Sequence, residues 1–361
     1  MAIQILGMIG HREVSEIIPA TATFDKDYIA KFAQAHEAAG FDRILVGYWS
    51  DQPDGFLITA HAAAHTQKIK FLLAHRPGFV SPTVAARKLA TLDHLTDGRL
   101  AVHIISGASD TDQQKDGDFL NKQQRYARTD EFLDIVRNTW YTQAPFNYQG
   151  EYYQVIDAYS EIKPLQQHLP IYFGGSSEEA LKIAAKHADV YAIWGEPLAG
   201  AKEHIEKLAP LLAEQQRQLQ YNISFRPIIA DSEKQAWEKA QDIYQKTKQQ
   251  LEQKGTQGIH FKHPGVGGQR LLEAAQHGEV LDRNLWTGIV SLVKGNYNST
   301  ALVGTPEQVA ESIADYYKLG IENVLIRGFD PLEDAKDYGR ELIPLIREKT
   351  AAVDQAQQKI A

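Results

Sequence analysis

Pro170-Ile171-Tyr172-Phe173-Gly174-Gly175-Ser176-Ser177-Glu178-Glu179-Ala180 is the stretch on which the reading of this chain turns. An apolar and aromatic run opened by proline predicts a buried strand, and Ala180-Leu181-Lys182-Ile183-Ala184-Ala185 behind it has helical periodicity. Two glycines between them let the backbone turn sharply and approach a ligand. Two serines cap the helix and leave N–H groups pointing outward beside the positive end of its dipole. The combination makes a phosphate nest, with Gly175, Ser176 and Ser177 as candidate ligands. The same residues also fit an ordinary strand-to-helix turn with a serine cap, so the surroundings must decide.

Outward from this unit the same alternation repeats. Strands are predicted at 3–9, 43–47, 69–74, 100–105, 189–193, 223–229 and 323–326, the one at 223–229 despite Pro227. Helical patterns lie between them, several stopped by glycine, as at Gly40, Gly98 and Gly320. With the nest strand, about eight such units favour a closed (β/α)8 TIM barrel over an open doubly wound sheet. A hairpin is expected near residue 150, turning at Gln149-Gly150. Insertions are expected near 107–123 and 254–300; in the second, periodicity fails, glycines cluster at Gly265, Gly267 and Gly268, and a lid could form. No linker divides the chain, so residues 1–361 are read as one barrel domain. In such a barrel the functional groups stand at the C-terminal ends of the strands. Here these are His11, Trp49, His75, Arg76, Ser106, Gly175, Ser176, Ser177, Trp194, Arg226 and Arg327.

Composition narrows the chemistry. The formal net charge is −8, which argues against nucleic acid as a partner. There is no cysteine, so disulfides, thiolate nucleophiles and thiolate-held metals are excluded together; this is compatible with the reducing cytoplasm, the expected location. The N-terminus does not read as a signal peptide, and no apolar run is long enough to span a bilayer. No metal is expected: His61 and His65 have helical spacing without a carboxylate partner, and the acidic stretch 110–118 lacks the glutamate of a calcium loop. The dinucleotide fingerprint and the Walker loop are absent. A nest for one phosphate, with aromatic and small residues at strand ends, suits a flat, monophosphorylated cofactor such as FMN. Trp49 and Trp194 could stack on a ring, and Arg226 and Lys294 could bind an anion, although alone each also fits a structural tryptophan or an ion-pair member.

Taken in order, Ala74-His75-Arg76-Pro77-Gly78, Ser81-Pro82-Thr83, Ser106-Gly107, Arg125-Tyr126, Tyr172 to Glu178, Trp194-Gly195-Glu196-Pro197, Asn284-Leu285-Trp286 and Thr300 to Gly304 resemble the bacterial-luciferase-like flavin monooxygenases, in particular the alkanesulfonate monooxygenase group. The resemblance runs over nearly the whole chain. It implies a barrel with an FMN site at its mouth, reduced flavin (FMNH2) delivered by a separate reductase, O2 as co-substrate, and association into dimers or tetramers. The implied reaction oxygenates the carbon beside a sulfonate and releases sulfite and an aldehyde. By position, Ser176 and Ser177 would hold the phosphate with Tyr126, while His103, Ser106 and Gly107 would edge the isoalloxazine, with Ala74 counted among the flavin contacts. Trp194 would contact substrate or flavin.

The departures bear on the substrate. Gln52 or its neighbours stand where the family has a cysteine, Ser224 and Arg226 where it has an arginine and a histidine, Lys294 where it has a lid arginine, and Phe329 where it has a tyrosine. The leading expectation is a reduced-FMN-dependent monooxygenase acting on an organosulfonate or related organosulfur compound. His11 and Trp194 are expected near the reacting face, and Arg226, Lys294 and Arg327 are expected as anion binders. The alternatives are the same barrel acting on a sulfone, an amine or an alkane, a deazaflavin-type cofactor, and a flavin-binding protein without oxygenase activity.

Overall fold

The computed structural model describes residues 2–107, 109–254, 265–296 and 299–358. Strands β1 (Gln4–Ile9), β2 (Arg43–Val46), β3 (Lys70–His75), β4 (Leu100–Ile104), β5 (Ile171–Gly174), β6 (Val190–Trp194), β7 (Gln220–Ile229) and β8 (Asn323–Ile326) run parallel, each bonded to the next. β8 returns to β1 in the register Gln4↔Asn323, Ile5↔Val324 and Leu6↔Leu325, which closes the ring. Helices pack around it, and the chain is a closed (β/α)8 barrel.

The barrel interior explains where the site lies. Leu6, Leu45, Leu72, Ala101, Tyr172, Val190 and Leu325 meet inside the ring. Side chains alternate along a strand, so the residues two further on form the next layer towards the C-terminal mouth: Met8, Gly47, Ala74, His103, Gly174, Ala192 and Arg327. Most of them are small or polar, so the core ends there and a floor for a ligand begins. Residues of the opposite parity, such as Ile5, Ile44, Phe71, Val102 and Phe173, pack under the surrounding helices.

Three expectations need correction. β7 is longer than its pattern suggested: its first part pairs within the barrel, while Arg226–Ile229 leave the ring and pair with a strand Ala301–Gly304. That strand is followed outward by antiparallel Leu285–Trp286 and Val280–Leu281. The 254–300 excursion is thus partly a sheet extension, with helices Val266–His277 and Gly288–Leu292; elements this short leave no periodicity to read. Residues 255–264, 297 and 298 of that segment, and 108 of the other insertion, lie outside the described residues. The hairpin strands Phe146–Gln149 and Gln154–Ala158 place the turn at 150–153, where the Glu131 carboxylate accepts the N–H groups of Glu151, Tyr152 and Tyr153 at 2.7, 3.0 and 3.0 Å. The closing helix starts at Pro331–Asp337, passes a π turn at Tyr338–Leu342 and continues as Ile343–Gln358. Pro344 has no N–H to close an α turn on Arg340, and the wider turn accommodates that. No helix among the described residues is long and apolar enough to cross a membrane.

Candidate active site at the barrel mouth

The nest is built as the sequence suggests. β5 stops at Gly174, and Gly175 takes a φ of +140°, a conformation that L side chains rarely adopt. A Cβ there would lie 2.8 Å from Ala180 Cβ and 3.0 Å from the Tyr126 hydroxyl, so the backbone must be bare. Ser177 caps helix Glu178–His187, its Oγ accepting from Ala180 N at 3.4 Å. Two tyrosines brace this turn. Tyr126 shares a hydrogen bond with the Ser177 side chain, and burial raises its phenol pKa against that bond. Tyr191, likewise pushed up by burial, donates to Gly175 O at 2.6 Å and shares a hydrogen bond with the Ser176 side chain. A Cβ on Gly267, in the first turn of helix Val266–His277, would sit 3.8 Å from both Ser176 Oγ and Trp194 Cε3. Glu178 in the capped first turn is exposed and bound to Lys182 at 2.8 Å. A bare glycine cradle, hydroxyls and a helix N-terminus fit a phosphate monoester.

Next to the nest lies a flat edge. Ala74 and His103 are register partners on β3 and β4, and His103 lies 3.6 Å from where a Gly174 Cβ would be. Burial holds the His103 pKa at about 4, so the ring is neutral near pH 7. The turn after β4 is held by Arg125, whose Nε donates to Ser106 O at 3.1 Å and whose Nη2 donates to Gly107 O at 3.3 Å. Ser106 Oγ lies 3.0 Å from Thr129 Oγ1.

Across the mouth is a cavity of about 390 Å³, between the ends of β1, β2 and β8 and the helix Glu233–Lys254. His11, Trp49 and Arg327 line it together with Arg12 and Glu16, and Thr247 and Leu251 of the long helix cover it. His11 stacks on Phe24 at 6.2 Å between centroids; its pKa is lowered by burial and then by Arg12. Most of the remaining wall is apolar, including Phe32, Val46, Ile58 and Val293.

Four residues expected at the mouth behave otherwise. Arg226 is 1% exposed, and its guanidinium is taken up by Glu16, by Gly328 O at 2.9 Å and by the Phe329 ring at 3.5 Å. Lys294 is exposed, beside the lining residue Val293 but not among the lining residues itself. His75 is buried against Phe56 and Phe132, at ring distances of 5.7 and 5.6 Å, with its pKa lowered by burial to about 4. Arg76 is buried and binds Asp112, with Ser50 Oγ at 2.9 Å, which ties the 107–123 insertion to β3.

Glu16 is the residue that the sequence reading missed. It accepts from Arg226 and Arg327, and although burial opposes its ionisation, the two arginines hold its pKa at about 2. Among the described residues Asp130, Asp134 and His187 have metal-compatible spacing, but the Lys186 ammonium already binds the two carboxylates at 2.8 and 3.0 Å. His61 and His65 each face a backbone carbonyl, at 3.0 and 2.8 Å.

Comparison with known proteins fits this arrangement. The family model described as luciferase-like monooxygenase matches residues 7–323. A riboflavin lyase, solved with modified FMN and riboflavin, superposes with a TM-score of 0.80 at 18% identity, over 97% of this chain and 92% of that one. An EDTA monooxygenase from Chelativorans sp. BNC1 gives 0.77 at 16% identity over 97% and 94%. A long-chain alkane monooxygenase gives 0.74 at 17% over 97% and 92%.

Proposed function

Since this chain belongs to the luciferase-like monooxygenase family, we propose that it is a two-component monooxygenase. It takes reduced FMN from a separate reductase and oxygenates an organosulfonate, or a related organosulfur anion, releasing sulfite and an aldehyde. The observation that carries this reading is the placement of two unlike sites on one mouth: a phosphate cradle at the end of β5, and an apolar cavity with arginines at the ends of β8, β1 and β2, half a turn of the barrel away.

Bound reduced FMN supplies the electrons that activate O2. The chain's own residues do the rest. The amides and hydroxyls at Gly175, Ser176 and Ser177 bind the phosphate. Ala74 and neutral His103 leave a flat, uncharged floor beside it, and the fixed carbonyls of Ser106 and Gly107 offer acceptors at its edge. The apolar wall keeps water from the reacting carbon. Among the described lining residues Arg12 and Arg327 stand with His11 against one carboxylate, Glu16, and leave the wall cationic, which suits a sulfonate head on an apolar body.

Oxygen uptake and sulfite release, measured with reduced FMN and a panel of alkyl- and arylsulfonates, test the reading. It predicts sulfite in step with oxygen consumed. Uptake coupled to a sulfone, amine or alkane, without sulfite from any sulfonate, would replace the substrate class.

A further inference from the structure

A buried chain of polar groups leads from the nest to helix Val266–His277, and the chemistry above does not use it. Tyr191 Oη, which donates to Gly175 O, lies 3.2 Å from His204 Nδ1, and His204 Nε2 lies 2.9 Å from Glu196 Oε1. Tyr191, His204 and Glu196 are all buried. Glu196 then receives Arg270 in a forked bond: Nε at 2.9 and 2.8 Å from its two oxygens, and Nη2 at 2.6 Å. Burial opposes ionisation of Glu196, but His204 and Arg270 outweigh it and keep the carboxyl below its ordinary range. Space for the pair is built into the sequence. A Cβ on Gly200 would stand 2.6 Å from Glu196 Oε2 and 3.4 Å from Arg270 Nη2.

Arg270 sits one turn into a helix whose Gly267 lies against Ser176 and Trp194. The helix begins at Gly265 with no side-chain cap. One carboxylate therefore holds this helix on one side and, through His204 and Tyr191, the nest carbonyl on the other.

We propose that Arg270 and Glu196 are positioning residues for the flavin phosphate: their ion pair docks helix Val266–His277 against Ser176, so that filling the nest and seating the helix are one coupled event. This rests on FMN occupying the nest. Coupling is reciprocal, so phosphate bound at Ser176 and Ser177 tightens the helix, and loosening the helix weakens the phosphate. Riboflavin, which has the ring without the phosphate, does neither.

The test compares wild type with Arg270→Lys, which keeps the charge but loses the fork, with Glu196→Gln, and with Glu203→Gln as a control that leaves the Glu196 fork intact and removes the outer contact at 2.8 Å together with an exposed pair to Lys207. Flavin affinity is read by fluorescence titration, seating of the helix by amide hydrogen exchange over 266–277, and folding by thermal melts. In wild type, FMN slows exchange in this helix and riboflavin does not. Arg270→Lys and Glu196→Gln weaken FMN by about 10-fold, leave riboflavin unchanged and lose the protection, while Glu203→Gln stays close to wild type. Wild-type FMN affinity in a folded Arg270→Lys protein, or equal protection by FMN and riboflavin, overturns the coupling while leaving the flavin reading intact. Wild type that binds neither flavin overturns both.

Discussion

Glu16 Oε1 and Arg226 Nη1 lie 2.8 Å apart, and the same carboxylate oxygen is 3.0 Å from Arg327 Nη2, so one acid in the cavity wall serves two guanidinium groups. Arg226 is almost wholly buried, and Arg327 faces the cavity. Glu16→Gln leaves the buried Arg226 charge without its counter-ion. The variant should lose about 3 kcal/mol of stability by urea titration, and sulfate should restore more of its melting temperature than of wild type's. The sign with pH follows from the lowered carboxyl. Glu16 stabilises fully above its ordinary value of 4.5, and that stabilisation disappears as pH falls towards about 2, so the gap between wild type and variant narrows over that window. A pH-independent gap would contradict the pairing.

On the proposed reading Arg327, which lines the cavity, meets the substrate anion. Arg327→Met keeps an unbranched stem, removes the charge and leaves Glu16 bound to Arg226. Its kcat/KM for a sulfonate should fall by at least about 10-fold, the loss of one charge-assisted hydrogen bond, while FMN affinity is unchanged. An equal loss with an uncharged substrate analogue would assign Arg327 to the fold alone.

Ser177 caps its helix and, on the proposed reading, also holds the phosphate, and substitution separates the two. Ser177→Ala removes the helix cap and should cost about 1 kcal/mol in a thermal melt. Ser177→Asp keeps an acceptor for Ala180 N–H and a carboxylate beside the helix dipole, so it should melt near wild type yet bind FMN poorly, because the nest is already negative. Tight FMN binding by the aspartate variant would move the phosphate elsewhere.

His36, His75 and His103 are held neutral by burial, each with a pKa lowered to about 4. The unfolded chain takes up these protons near the ordinary value of 6.5, the folded chain only near 4, so stability is complete above about pH 6.5 and falls as pH drops towards 4. His75→Gln should flatten this slope by about one proton, read as midpoint denaturant against pH.

The parts of the site that follow strand periodicity were legible in the residues. The nest lies at the end of an apolar run, and Ala74, His103 and Arg327 share the inward parity that Leu72, Ala101 and Leu325 establish. The same alternation, carried one residue further, turns His75 outward under the helices, where Phe56 and Phe132 meet it. What periodicity cannot carry is pairing between distant loops. Glu16 lies in a loop without regular structure and meets Arg226 across 210 residues, and Glu196 meets Arg270 across 74. Charge pairs at such separations leave no local mark, so Arg226 read as an available cation when its partner was already in the chain. The sheet extension around Trp286 was hidden for a related reason: strands of two residues carry too few alternations to recognise.

If the turn at Gly175 grips a flavin by its phosphate, affinity must depend on that phosphate and on the bare backbone there. Anaerobic titration of the protein with reduced FMN and with reduced riboflavin, in wild type and in Gly175→Ala, tests it most directly. Wild type should bind FMN at least about 10-fold more tightly than riboflavin, and the alanine, strained at φ +140° and pressed on Ala180, should erase that preference without unfolding the barrel. Equal affinity for the two flavins in wild type, or an undiminished preference in the variant, would contradict it.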